Sequence, residues 1–301
     1  MSVVIMQLFN GISLASILLL ISLGLAITFG QMKIINMAHG EFIMTGAYTT
    51  YVLQKIFLEN LPQSFFGYYF VFAIFLSFLI CAITGILLEK VIIKHLYARP
   101  VDSLLATWGV SLILQQIARS IFGAPNVAVV APEWLNGGIE LTAGITLPYK
   151  RLFIIGLVLI CVAILYFYLY KTASGRRITA VTLNRNMAAC LGVSTRRVDS
   201  LTFALGSGLA GIAGCSLTLI GSIGPTLGTA YIVDAFMIVV LGGIGKLKGT
   251  VFAALILGVI NTLVEFSTSA TIAKVIVFMV VIIFLQWKPM GIAGRKMRSL
   301  D

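Results

Sequence analysis

The chain has 301 residues, of which 59% are hydrophobic and 10% charged, and its mean hydropathy is +1.06. Soluble domains carry about 25% charged residues, so this composition excludes an ordinary globular fold and indicates an integral membrane protein. The formal net charge of +11 does not indicate nucleic acid, because the basic residues are scattered between apolar runs and read as topology signals and contacts with anionic lipid heads.

A helix needs about 20 apolar residues to cross a bilayer core, and charge-free runs mark the spans. The first covers about residues 4–29. It lacks the basic start and small-residue cleavage site of a signal peptide, so it is expected to stay as a span. The second, about 42–52, is short and rich in Gly and Thr. The third, fourth and fifth cover about 68–88, 104–122 and 152–170. Residues 123–150 form the largest segment expected outside the membrane on the external face, with Pro125, Pro132, Pro148 and the run Trp134-Leu135-Asn136-Gly137-Gly138. Trp and Pro there suit an interfacial anchor and turn, or a docking surface for an external delivery protein.

The loop 171–199 differs from everything around it. It holds Lys171, Arg176, Arg177, Arg185, Arg196 and Arg197 against one acid, Asp199. Loops this basic stay in the cytoplasm. Within it, residues 184–191 predict about two turns of helix, with Asn184 or Asn186 as the starting cap and Gly192 as the end. Met187, Cys190 and Leu191 fall at i, i+3 and i+4, an apolar edge on a polar element. Such a knob is suited to a groove in another protein.

The sixth span, about 200–219, carries Gly206, Ala210 and Gly214 at i, i+4 and i+8. A small-residue ridge lets helix backbones approach closely where lipid supplies no hydrophobic drive. It serves packing, or a sliding surface used in gating. After it, 221–231 is dense in Gly and includes Gly224-Pro225, which breaks a helix. The seventh span, from about 231 to 245, is too short to cross alone; the eighth and ninth follow at about 249–264 and 275–287. Short, Gly/Pro-interrupted segments point to a transport pathway, since irregular backbone at depth must line a cavity or be buried in protein. Asp234 lies just beyond the break and reads as an interfacial cap or a pathway group. The run Gly242-Gly243-Ile244-Gly245-Lys246 is not a phosphate loop, because Val240 and Leu247 occupy positions that the motif reserves for Gly and Ser or Thr.

With the central loop inside, Lys33, Lys90, Lys94, Arg99, Lys246, Lys248, Lys288, Arg295, Lys296 and Arg298 also fall inside. Lys55, Arg119, Lys150, Arg151 and Lys274 remain at the outer face. The asymmetry predicts an external N-terminus and a cytoplasmic C-terminus. Cys81, Cys161, Cys190 and Cys215 include no CxxC pair and have no neighbouring His, which argues against a disulfide framework or a metal site. His39 and His95 lie near loop positions and read as interfacial. A faint internal echo pairs Gly24-Leu25-Ala26 and Gly30 with Gly208-Leu209-Ala210 and Gly214, and Gly46-Ala47-Tyr48 with Gly228-Thr229-Ala230-Tyr231. It would set the turn Asn36-Met37-Ala38-His39-Gly40-Glu41 opposite the Gly224-Pro225 break. The expected fold is an all-α, polytopic transmembrane bundle of eight or nine spans in one domain, with broken helices.

At several of these residues the chain resembles permease subunits of the branched-chain amino acid class of ABC importers, nearly end to end. The resemblance is carried by residues 36–42 with Gly46-Ala47-Tyr48, by 184–193, and by the Leu241-Gly242-Gly243-Ile244-Gly245 turn. Residues 105–109, 131–138, 187–192 and 231–236 are similar to the urea-type branch. The resemblance implies a second related permease subunit, two ATP-binding subunits carrying ATP and Mg, and an extracytoplasmic solute-binding protein, with no cofactor on this chain. It makes 184–193 the coupling helix that sits on an ATPase, with Asn184, Arg185, Met187, Ala188, Cys190, Leu191 and Gly192 as its residues. It departs from the EAA-x-x-x-G pattern of other importers: Met187 stands in place of Glu and Gly192 comes one residue early. The function implied is passage of urea or a related small amide by alternating access, or of branched-chain amino acids. A self-sufficient channel or ion-coupled carrier would have no use for the exposed knob. Asn36, Glu41, Gln115, Gln116, Gly224, Pro225, Asp234 and Asn261 are the pathway candidates, and each polar one equally suits a helix–helix hydrogen bond.

Overall fold

A computed structural model describes residues 2–32, 34–60, 62–97, 99–142 and 145–293. Of the basic residues used for orientation, Lys33, Arg295, Lys296 and Arg298 lie outside the described residues. The helices in chain order are α1 (Ser2–Met32), α2 (His39–Asn60), α3 (Tyr69–Val91), α4 (Pro100–Phe122), α5 (Tyr149–Lys171), α6 (Ala173–Leu183), α7 (Arg185–Cys190), α8 (Thr195–Leu217), α9 (Leu227–Gly242), α10 (Leu247–Ser267) and α11 (Ala270–Trp287). Strands β1 (Gly138–Thr142) and β2 (Ile145–Pro148) form an antiparallel hairpin in the segment before α5. Every predicted span coincides with a helix, and the chain is a polytopic helical bundle.

Seven helices among the described residues are long and apolar enough to cross a membrane: α1, α3, α4, α5, α8, α10 and α11. The other two predicted spans are different in kind. α2 runs 22 residues, twice the predicted stretch, but opens with buried His39 and Glu41 and carries Thr49 and Thr50 inside. The predicted stretch loses His39 and Glu41 at its start, which other helices shelter, and more at its far end, where the helix runs on through Gln54, Lys55 and Glu59 to Asn60. α9 has 16 residues, too few to span alone. Its start is set by the Gly/Pro break and its end by Gly243, at φ +95°.

α1 and α8 are buried over most of their length and form the centre, while α5 and α11 lie mostly on the outside. α3 packs along α8, and α10 along α1. Glycine permits the closest of these approaches. A Cβ on Gly206 would sit 2.7 Å from the Gly24 carbonyl oxygen, and one on Gly211 2.6 Å from the Ser77 carbonyl oxygen. Gly214 packs against the backbone of Ile43 and Ala47 in α2. Gly206, Ala210 and Gly214 are all buried, so α8 touches α1, α2 and α3 at backbone distance.

α2 begins deep inside. The His39 ring Nε2 lies 3.1 Å from the carbonyl oxygen of Ile21, which is eleven residues before the last residue of α1, or about 16 Å along that helix. His39 is therefore a buried residue, 1% exposed, rather than an interfacial one; His95 is exposed. The start of α9 meets the start of α2 there, since a Cβ on Gly40 would lie 2.6 Å from the Gly228 carbonyl oxygen. Two helix N-termini thus face each other inside the bundle. One level away, Ile223 and Val127 exchange backbone hydrogen bonds of 2.8 Å, which tie the broken segment to the loop after α4.

The basic loop is more ordered than its composition predicts. α6 occupies its first part, capped by Thr172 Oγ1, which accepts from Gly175 N at 3.1 Å. The hairpin is a second element absent from the sequence reading. Beside it, Trp134 donates to the Gly67 carbonyl oxygen at 2.7 Å and stacks edge-on against Phe153. The four cysteines are free thiols, three buried and Cys190 exposed.

Candidate translocation pathway and coupling surface

Both ends of α7 are fixed by local chemistry. Asn184 Oδ1 accepts from Met187 N at 3.0 Å, satisfying a donor that has no partner within the helix. At the other end Gly192 adopts φ +80°. Gly192 N donates to Ala189 O and Val193 N to Ala188 O, each at 3.0 Å, the paired bonds of a Schellman ending. Ala188 faces inward and packs with Ile178, Val181 and Val198. That packing holds α7 on α6 and the start of α8. The opposite side is apolar and exposed: Met187 is 59% and Leu191 77% accessible. Contiguous exposed apolar side chains mark an interaction surface.

Arg185 does not point outward with them. Its guanidinium makes paired hydrogen bonds to the carboxylate of Asp199, at 3.2 Å from Nη1 to Oδ1 and 2.5 Å from Nη2 to Oδ2. It also lies over the Tyr97 ring, 4.8 Å from the centroid. Asp199, at 0% exposure, further accepts from Gln31 Nε2 of α1 at 3.4 Å. Tyr97 OH donates to Glu89 Oε1 of α3 at 3.0 Å, and Ser200 Oγ donates to Glu89 Oε2 at 2.6 Å. Burial pushes the Tyr97 phenol up in pKa, and the carboxylates of Asp199 and Glu89 push it the same way. It stays a donor throughout the physiological range. Sequence reading noticed Asp199 only as the one acid in a basic loop; that isolation was the available signal.

The pathway candidates separate into groups. Asn36, Glu41 and Gln115 surround the inner end of α2. Glu41 Oε1 accepts from Ser111 Oγ at 2.8 Å and from Gln115 Nε2 at 2.9 Å. Among the described residues its Oε2, though buried, has no hydrogen-bond partner, and neither does Asn36 Nδ2. Asn36 Oδ1 accepts from Ala38 N at 3.0 Å, shaping the turn into α2. Glu41 lies in the first turn of α2, where the helix dipole favours a negative charge. Ser111, and Thr107, whose Oγ1 accepts from Met37 N at 3.1 Å, were missed as partners of this turn. Their signal is the i+4 ridge Ser103, Thr107, Ser111 and Gln115 along the buried face of α4. Gln116 is on the exposed face of α4.

Gly224 and Pro225 are buried, Gly224 against Asn126, and the preceding Ile223 belongs to the cluster of Met44, Ala47, Tyr48 and Ala118. Asp234 is set apart, 3.5 Å from Lys274 Nζ of α11. Asn261 is half-buried on α10. Next to Asn36 opens an apolar cavity of about 300 Å³, walled by Leu25, Ile232, Phe236, Met237 and Val240 among others. Among the described residues, no three His, Cys, Asp or Glu side chains group to hold a metal.

A helical bundle with a broken, glycine-packed interior and an apolar knob projecting on a basic face defines a membrane transport subunit. Residues 7–285 match the family described as branched-chain amino acid transport system / permease component, and the chain belongs to it. It is 31% identical over 297 residues to the high-affinity branched-chain amino acid transport system permease protein LivH of Salmonella typhimurium, covering 96% of this chain and 95% of the relative. BraD of Pseudomonas aeruginosa, a permease protein of the same kind of system, is 27% identical over 299 residues, covering 96% and 95%. The ribose import permease protein RbsC of Bacillus subtilis is 37% identical over 105 residues, a third (33%) of each chain. No solved structure matches the chain. The protein is a permease subunit, not an enzyme.

Proposed function

We propose that the chain is the membrane subunit of an ATP-driven importer that moves an aliphatic amino acid by alternating access. The observation that carries this reading is the buried Glu41 carboxylate, with one oxygen unpartnered among the described residues, at the meeting of two helix N-termini; Asn36, five residues before it, lines an apolar cavity of about 300 Å³. An amino acid presents an ammonium group for Glu41 Oε2, a carboxylate for the positive helix ends, and an aliphatic side chain for the wall of Leu25, Ile232, Phe236 and Met237. The names of LivH and BraD agree with that substrate.

A second reading, urea or a small amide, is favoured by the residue blocks 105–109, 131–138, 187–192 and 231–236, which are similar to the urea-type branch. Two NH₂ groups would also satisfy Glu41 Oε2, but they leave the apolar wall without a role. In either case two ATP-binding subunits would hold ATP and Mg, a second permease subunit would complete the pathway, and an extracytoplasmic binding protein would deliver the solute. α7 would be the coupling helix, with Met187, Cys190 and Leu191 in contact with one ATPase. The basic ends of α3, α6 and α8 would face the cytoplasm together with the C-terminus, with the N-terminus outside.

Uptake of labelled leucine and labelled urea by the assembled complex separates the readings. The amino-acid reading expects ATP-dependent leucine uptake and no urea uptake; urea uptake without leucine uptake overturns it.

A further inference from the structure

The knob and the membrane helices are joined by more than the short chain between them. Among the described residues α7 rests on the bundle through an apolar seat and a polar pair. The seat is that of Ala188 on Ile178, Val181 and Val198. The other is the Arg185–Asp199 pair, which joins α7 through polar side chains to α1 and α3. Asp199 is also bonded by Gln31 at the end of α1. Arg185 lies on Tyr97, which holds Glu89 at the end of α3, and Ser200 of α8 closes the ring. The inner ends of α1, α3 and α8 and the knob therefore meet in one polar knot.

We propose that this knot is a transmission clasp: Arg185, Asp199, Gln31, Tyr97 and Glu89 carry displacement of α7 into α8, α1 and α3. This rests on the reading of α7 as the ATPase contact. The apolar seat is non-directional and tolerates sliding. Charge-assisted, paired bonds are short and directional. A buried carboxylate stripped of its guanidinium is left uncompensated, which is strongly unfavourable. Displacement of α7 therefore draws Asp199 with it, and with Asp199 the first turns of α8. α8 in turn meets α1 at Gly24–Gly206 and α2 at Gly214–Ile43. Movement started at the knob is thereby delivered to the turn carrying Asn36 and Glu41. Arg185 in this account is a positioning residue that faces the bundle and makes no contact with the ATPase.

The test uses the complete transporter in proteoliposomes, with three readouts: co-purification of the ATP-binding subunits, ATP hydrolysis, and solute moved per ATP. Asp199→Asn and Arg185→Ala are expected to keep the ATP-binding subunits bound but to lower solute moved per ATP at least tenfold. Arg185→Lys should retain part of it, and the exchange Arg185→Asp with Asp199→Arg should recover part. Unchanged transport per ATP in Asp199→Asn overturns the clasp. So does loss of co-purification in Asp199→Asn, which would make the pair a support for the shape of α7 alone. Should the Asp199 and Arg185 variants fail to accumulate, Gln31→Leu decides: full transport per ATP in that variant overturns the link to α1. Failure of the wild-type chain to bind any ATP-binding subunit would instead refute the reading of α7 on which the clasp rests.

Discussion

Adding one methyl group at Gly214 tests the packing of α8 more sharply than any polar substitution. An ordinary Cβ contact begins near 3.4 Å, and at the neighbouring Gly211 the added carbon would stand 2.6 Å from the Ser77 carbonyl oxygen, so about 0.8 Å of separation is required there. At Gly214 the methyl would overlap the Ile43 carbonyl more severely and also lie 3.0 Å from Ala47 N. Both obstacles are helix backbone, which cannot rotate aside as a side chain does. Overpacking of this kind costs about 1–3 kcal/mol, and Gly214→Ala belongs at the upper end. Gly156 on α5 supplies the control, because its added Cβ meets nothing within 4 Å. Both substitutions share the helix-propensity gain of about 1 kcal/mol, so it cancels and the two variants should differ by the overpacking cost alone, roughly 2–3 kcal/mol. Thermal unfolding in detergent reports the difference, followed by reaction of the buried thiols Cys81, Cys161 and Cys215. A Gly214→Ala protein that melts with Gly156→Ala would refute the close contact between α8 and α2.

Leu191→Asp places a charge on a side chain that is 77% exposed; the protein should insert and fold as usual yet lose its co-purifying ATP-binding subunits, and an intact complex would count against α7 as their contact. Glu41→Gln keeps the acceptor for Ser111 and Gln115 but removes the charge, so leucine transport should fall at least tenfold while assembly is preserved; equal transport would remove Glu41 from the pathway. Asp234→Asn breaks an ion pair whose Lys274 is half exposed, and partly exposed pairs contribute about 0–1 kcal/mol. Its melting and transport should therefore stay near those of the parent, and a large transport defect would return Asp234 to the pathway.

The membrane helices were legible because lipid imposes long charge-free runs, as in α1, α5 and α11. α2 was cut short at its inner end by His39 and Glu41, which neighbouring helices surround, and further at its outer end, where Lys55 and Glu59 break the charge-free run although the helix continues. α6 left no apolar run to read: Ser174, Arg176 and Arg177 dominate it, and it forms where Ile178 and Val181 dock beside Val198. The caps of α7 were legible from Asn184 and Gly192 because capping is local. Which way Arg185 turns was not, since Asp199 and Tyr97 reach it from other elements. In the same way the meeting of Asn36, Glu41 and Gln115 depends on α4 lying beside the turn into α2, a fact of packing that no spacing within either segment encodes.

Cross-linking from the knob tests the central claim most directly. With Cys190 replaced by serine and Leu191 by cysteine, a short thiol-to-amine cross-linker applied to membranes containing the whole transporter should yield an adduct of this chain with an ATP-binding subunit. Position 191 should resist a membrane-impermeant maleimide added outside intact cells. Labelling from outside, or an efficient reaction that never joins the two chains, would contradict the account.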